Sequence, residues 1–370
     1  MTTTPRRRRC LAGAVGAVAT VALLGLPVPA APAHAARQPG PTGPASWPPR
    51  RLAAQLVLAG IDMSQLDRAV DWSARGVGGI VLFGSPPAQL RRELRAVRTA
   101  GRVAPLVASD EEGGQVQRLA DKLYPLPSAR WMGAHWRPRH VRRVAANYGA
   151  QMRRLGVTMD LAPVADLLVP GHFIADEQRA FARHPRKVAR FVNAWQRGLR
   201  DAAVVPTLKH WPGHGSADDT HAGLGRTPPW SVMKTRDVVP FDTALAAHAP
   251  VVMVGHLVVP GLTEDDHTPA SLSRNALHKL RARAGNATLI VTDSLVMGAI
   301  RTSLGLTQPQ AAVRALRSGA DMALVQDVGL HRVVAAITHA LRDGRYPRSH
   351  AVASVERILA VKSERRRLIG

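Results

Sequence analysis

The sequence predicts an α/β fold, a single-domain (β/α)8 barrel of the TIM type, from three observations. Eight short apolar runs alternate with amphipathic stretches along the chain, the signature of βα units around a parallel sheet. About 320 residues remain beyond an N-terminal leader, the length of one large barrel. Ionisable residues gather just after the apolar runs, and the C-terminal ends of barrel strands converge on one face.

The leader comes first. Arginines at 6–9 precede a sixteen-residue apolar stretch at 11–26, and Ala33-His34-Ala35 is a small-x-small site. This is the pattern of a signal peptide, so residues 1–35 are expected to be removed and the mature protein secreted to the cell envelope. The stretch falls short of the ~20 residues that span a bilayer. Pro27, Pro29 and Pro32 follow at once, so no integral membrane anchor is expected. The paired arginines leave the twin-arginine export route open beside the general one. Cys10, the only cysteine, precedes the apolar stretch. The mature chain would therefore have no lipid-bearing cysteine, disulfide or thiol nucleophile. Residues 36–49 read as a Pro/Gly-rich spacer and residues 50–370 as the catalytic domain.

The expected strands are 56–61, 79–83, 106–109, 159–163, 204–209, 251–254, 289–292 and 322–325. Helical patterns occupy 88–100, 140–155, 185–202, 230–247, 273–284 and 308–318, and 351–368 reads as a closing helix. A doubly wound open sheet competes, but no G-x-G-x-x-G follows the first strand. The net charge is +24, and +20 once the four leader arginines are gone. Aromatic residues make up 4% of the chain. That offers no stacking platform for single strands, and no nucleic-acid partner is expected. The positive excess suits electrostatic association with an anionic cell wall, and an Arg-rich solvated surface without a partner reads equally well. The expected state is a monomer.

The densest chemistry lies in Lys209-His210-Trp211-Pro212-Gly213-His214-Gly215-Ser216-Ala217-Asp218-Asp219-Thr220-His221, directly after the fifth apolar run. Gly and Pro make this a loop, and so many ionisable groups in one place suit catalysis rather than a folding core. Asp110-Glu111-Glu112 follows the third strand, Asp166 and Asp176-Glu177-Gln178-Arg179 the fourth, His256 the sixth, Asp293 the seventh and Gln326-Asp327 the eighth.

Asp293, ending Leu289-Ile290-Val291-Thr292, is placed to attack an electrophilic carbon, with a helix N-cap the alternative. Asp219 can hold one ring nitrogen of His221 and present the other, which suits proton transfer near neutral pH. Lys209 and His210 suit hydroxyl binding, with an interior ion pair the alternative for Lys209. His214, between two glycines, reads as loop-locking. Asp110 precedes a double glycine that allows close ligand approach. A nucleophilic carboxylate, a separate acid/base and hydroxyl-binding carboxylates together describe retaining glycoside hydrolysis, here with a His–Asp pair in place of the carboxylic acid. A metal hydrolase on His210, His214 and His221 is an alternative, but the spacing matches no standard zinc motif.

The chain resembles glycoside hydrolase family 3, in its single-domain β-N-acetylhexosaminidase branch. The pattern K-H-F-P-G-H-G…D-S-H stands here as Lys209 to Gly215 and Asp219-Thr220-His221, and D-x-E-G-G-x-V-x-R stands as Asp110 to Arg118. Arg179 in Gln178-Arg179-Ala180-Phe181 is similar to the R-S-F/Y segment, and Thr292-Asp293-Ser294-Leu295-Val296-Met297 to S-D-D-L-S-M. The likeness runs from Leu52 to the C-terminus. It implies Asp293 as nucleophile and His221 as acid/base assisted by Asp219. It further implies that Asp110, Arg118, Arg179, Lys209 and His210 bind a terminal N-acetylglucosamine, without metal or cofactor. The implied substrates are β-linked N-acetylglucosamine glycans, from peptidoglycan fragments or chitooligosaccharides. A β-glucosidase-type exo-glycosidase and a non-catalytic wall-binding relative are the alternatives. Three departures stand out. The loop before His221 is one residue shorter than the common form, Ser294 replaces a second Asp, and Trp211 replaces Phe.

Overall fold

The eight apolar runs form the eight strands of one parallel sheet in the computed structural model, which describes residues 43–367. They are β1 (Val57–Asp62), β2 (Gly79–Phe83), β3 (Leu106–Ser109), β4 (Met159–Asp160), β5 (Val205–Trp211), β6 (Val251–Val254), β7 (Leu289–Thr292) and β8 (Ala323–Gln326). Each pairs with its sequence neighbours, and β8 returns to pair with β1, with Val57 opposite Ala323. The seam between β7 and β8 is closed by a Val291–Met322 bridge and by Leu295 N–H donating to the Leu324 carbonyl at 2.9 Å. The chain is therefore a closed barrel, as the alternation of runs predicts.

The strands read as continuous Val, Leu, Ile and Ala because both faces are covered, with helices outside and packed side chains within. Leu58, Ile80, Val107, Leu208, Val252 and Ile290 have no accessible surface to speak of. β4 is shorter than the expected 159–163 because Pro163 has no N–H for the ladder, although the Pro163 carbonyl still accepts from Lys209 N–H at 3.2 Å.

The outer layer holds helices Leu90–Ala100, Pro138–Leu155, Pro185–Asp201, Arg274–Ala284, Gln308–Ser318 and Arg348–Arg367 close to their expected places. Helix Pro185–Asp201 shows the logic. Val188, Phe191, Val192, Trp195 and Leu199 form one buried stripe, spaced as a helix seated on a sheet requires. Truncating Trp195 to alanine would cost about 3–5 kcal/mol.

The expected single helix at 230–247 is two, Trp230–Met233 and Val239–Ala246. Pro240 cannot sit inside a helix, and it starts the second one instead. Helices Leu66–Ala74, Ala129–His135 and Leu330–Arg342 were not anticipated and complete the alternation. Within the stretch read as a spacer, Trp47 is buried and the Arg51 guanidinium lies 3.6 Å from its ring centre. Arg348 donates to the carbonyls of Ala45 and Trp47, and a helix starts at Pro49. The leader at 1–35 lies outside the described residues. Among the described residues, no helix is long and apolar enough to cross a membrane.

Candidate active site

The loops at the C-terminal ends of the strands enclose a cavity of about 180 Å³. Asp110, Arg118, Arg179, Lys209, His210, His221 and Asp293 all line it, with Asp219 behind His221. Seven side chains from the ends of four strands, β3, β4, β5 and β7, thus meet in one cavity, as the sequence predicts. The volume is below the about 300–1,000 Å³ of sites for drug-sized ligands, and it suits one sugar ring rather than an oligosaccharide.

One wall is a charge cluster. Arg179 grips Glu112 with both arms of its guanidinium, Nε and Nη2 each 2.8 Å from a carboxylate oxygen. Lys209 Nζ lies 2.6 Å from Asp110 and 2.5 Å from Glu112. Burial would raise the Glu112 carboxyl, but Arg179 and Lys209 hold it down to about 2. Burial would lower the Lys209 ammonium, but Asp110 and Glu112 more than offset it and raise its pKa, so it remains charged. Glu112 therefore fixes both cations beside the cavity and leaves part of their donor capacity for a ligand. Sequence reading placed it in the cluster after β3 without a role. Its partners lie 67 and 97 positions away, and no local spacing reveals them.

His210 is held from beneath. Its Nδ1 lies 2.7 Å from Asp166 Oδ2, and the His210 and His214 backbone N–H groups also donate to that carboxylate. Asp166 is buried, and the imidazoles and N–H groups around it outweigh the burial and keep it ionised. The network assigns the proton to Nδ1, which turns Nε2 of His210 toward the cavity, 3.4 Å from Arg179 Nη2. His214 is buried, and burial pushes its ring down to about 4, so it is neutral. With its ring 3.3 Å from Thr220 Oγ1, it locks the loop, as read from the sequence.

His221 Nδ1 lies 2.6 Å from Asp219 Oδ1, which also accepts the His221 backbone N–H at 2.9 Å. The pair is exposed at the rim, against the edge of Phe173. Phe173 also backs Arg179, and sequence reading had not singled it out. The loop is anchored to the segment after β7. Gly298 N–H donates to the His221 carbonyl and Ala299 N–H to that of Thr220. A Cβ at Gly298 would stand 2.3 Å from the His221 oxygen, so only glycine allows this approach.

Asp293 sits half-buried at the end of β7, with its Oδ1 accepting the Ser294 N–H at 2.7 Å. Burial would raise it. The His210 and His256 rings, that N–H and the Lys209 ammonium hold it down at about 2. His256 is itself lowered by burial, and its ring bridges Ser271 Oγ and the Ser294 carbonyl. Its role is to hold the turn that carries Asp293. Beneath Asp110, Glu111 is buried, receives hydrogen bonds from Ser109 and Tyr148, and is pushed by burial up to about 7. Among the described residues, no group of three His, Cys, Asp or Glu side chains is arranged to hold a metal ion.

Residues 52–361 match the glycosyl hydrolase family 3 N-terminal domain. The chain belongs to glycosyl hydrolase family 3. It is 38% identical over 331 residues to the beta-hexosaminidase LpqI of Mycobacterium tuberculosis, spanning 86% of this chain and 84% of that protein. A family 3 glycosyl hydrolase structure from Mycobacterium smegmatis superposes with a TM-score of 0.79 at 37% identity, covering 86% of this chain and 98% of the other. The family 3 β-N-acetylglucosaminidase of Paenibacillus superposes with a TM-score of 0.80 at 30% identity, over 87% of this chain and 63% of that one. This family 3 protein is a glycoside hydrolase on a (β/α)8 barrel.

Proposed function

We propose that the protein is a retaining exo-β-N-acetylglucosaminidase that removes terminal, non-reducing N-acetylglucosamine from peptidoglycan fragments or chitooligosaccharides outside the cytoplasm. The supporting observation is that Asp293 and the Asp219–His221 pair, from loops two strands apart, border one cavity already lined by Asp110, Arg118, Arg179, Lys209 and His210. The names of the relatives support the choice of sugar, and the leader pattern supports export.

The chemistry follows in two balanced steps. The free oxygen of Asp293 attacks the anomeric carbon while the glycosidic bond breaks, and His221 Nε2 gives its proton to the departing oxygen. Asp219, bonded to Nδ1, stabilises the ring through both protonation states. Water then gives a proton to His221 Nε2 and attacks the anomeric carbon, and the ester to Asp293 is released. Asp110 and the cations fixed by Glu112 hold the sugar hydroxyls. Ser294, in place of a second carboxylate, leaves Asp293 the sole anion at this turn.

Asp293→Ala is expected to abolish turnover of nitrophenyl N-acetyl-β-glucosaminide, and its retention of wild-type rates would remove Asp293 as nucleophile. Faster hydrolysis of the glucose analogue would move the protein to the β-glucosidase reading.

A further inference from the structure

A large cavity lies remote from the chemistry just described. It measures about 790 Å³ and lies on the flank of the barrel, between helices Leu90–Ala100 and Pro138–Leu155. Arg91, Arg92, Arg95 and Arg98 enter it from the first helix, and Arg153 and Arg154 from the end of the second. Lys122 adds a seventh cation from the loop after β3, and no carboxylate lines the groove. Among the described residues none of these cations has an ion-pair partner, although Arg142, Arg281, Arg345 and Arg357 elsewhere do. The Nε atoms of Arg98 and Arg153 are shielded from water and meet no acceptor. Holding like charges together without counter-charges costs stability. An ordinary solvated surface intersperses both signs.

The arrangement has a direction. Arg91, Arg95 and Arg98 follow the i, i+4, i+7 spacing of one helix face and rise over about 10 Å. Arg153 and Arg154 face them from the neighbouring helix. Guanidinium forks match the oxygens of phosphate two at a time. A stripe of them between two helices fits a narrow chain bearing an anion on every repeat. The lining has no aromatic side chain on which a base could stack. The exposed large apolar residues, Trp131, Val232 and Val328, are all elsewhere, so nothing here would enter a lipid surface. We propose that this groove binds a linear polymer with phosphate in each repeat and tethers the enzyme to that polymer while the barrel mouth stays free.

The test uses purified protein, end-labelled inorganic polyphosphate and fluorescence anisotropy across a potassium chloride series. Arg91→Gln/Arg95→Gln/Arg153→Gln is compared with Arg137→Gln/Arg139→Gln/Arg143→Gln, which removes the same charge around the half-buried Trp136. The groove variant is expected to bind about tenfold or more weakly, with the slope of log K against log salt shallower by about 2. The control variant is expected to bind like the wild type. Both are expected to keep wild-type turnover of a small nitrophenyl glycoside, which reports folding independently of the polymer. Arg95→Gln alone, an exposed position, is expected to change the slope in the same direction by about one-third as much. Equal loss in both triple variants would reduce the effect to net charge and overturn the proposal, as would no loss in either. Tighter groove-dependent binding of single-stranded DNA of matched charge, or of phosphatidylglycerol vesicles, would overturn it in favour of that ligand.

Discussion

Glu112→Gln is the most informative single change, because it alters no group assigned to bond making or proton transfer. The carboxylate accepts two hydrogen bonds from Arg179 at 2.8 Å and one contact from Lys209 at 2.5 Å, and its side chain is 2% exposed. Losing one member of a buried ionic network costs about 3–5 kcal/mol, since the remaining charges stay buried without compensation. Glutamine keeps one oxygen to accept from Arg179, so the low end applies, about 3 kcal/mol. If that loss is felt fully in the transition state, kcat/KM on nitrophenyl N-acetyl-β-glucosaminide falls by about two orders of magnitude. Its amide NH2 would face one of the two cations and push Arg179 or Lys209 off its ligand position, so KM should rise as well. Calorimetry should show a melting temperature lower by about 6 °C. Unchanged kcat/KM with an unchanged melting temperature would refute the reasoning, because the two cations would then hold their positions without Glu112.

Four further expectations follow from the same geometry. His221→Ala should slow release of the glycosyl-enzyme by about 10²–10⁴-fold, with partial rescue of the first step by a good leaving group and a covalent adduct on Asp293 visible by mass spectrometry. Gly298→Ala would place a Cβ 2.3 Å from the His221 carbonyl oxygen, which should push that carbonyl away and lower kcat most for poor leaving groups, as steady-state rates on a series of aryl glycosides would reveal. Glu111 is raised from 4.5 to about 7. Folding therefore favours its protonated form, a stabilisation complete below pH 4.5 and lost as pH rises through 7. Glu111→Gln does not titrate, so its unfolding free energy relative to wild type should climb by up to about 3 kcal/mol between those limits. Denaturant titrations at several pH values would show a flat difference if Glu111 is not buried in this way. Asp293 is held at about 2. Loss of activity between pH 4 and 6 should therefore come from other groups, and an acid limb that moves in a Ser294 variant would contradict this.

The barrel was readable because each strand is buried on both faces and so appears as an unbroken apolar run. Val251–Val254 and Leu289–Thr292 fall on the anticipated residues. The helices at 230–247 were less readable, since the chain leaves helix after Met233 and Pro240 opens a separate one. At the site, Asp293, Lys209 and His210 were legible because polar residues at strand ends break an apolar pattern. Asp166 and His256 stood out at strand ends in the same way but without a legible role. Their functions lie in hydrogen bonds across 44 and 38 positions of sequence, a relation that a single chain read in order does not display. Glu112 was visible as a charge but not as a clamp, for the same reason.

The hydrogen bonds from Gly298 and Ala299 to the carbonyls of His221 and Thr220 make the turn after β7 a jig for the proton donor. The segment between Gly215 and Asp219 is then a tether rather than a ruler: its length decides whether His221 can reach the jig, and the jig decides where it sits. In this chain the shortened loop still delivers His221 to the jig, with Ala217 buried on the way.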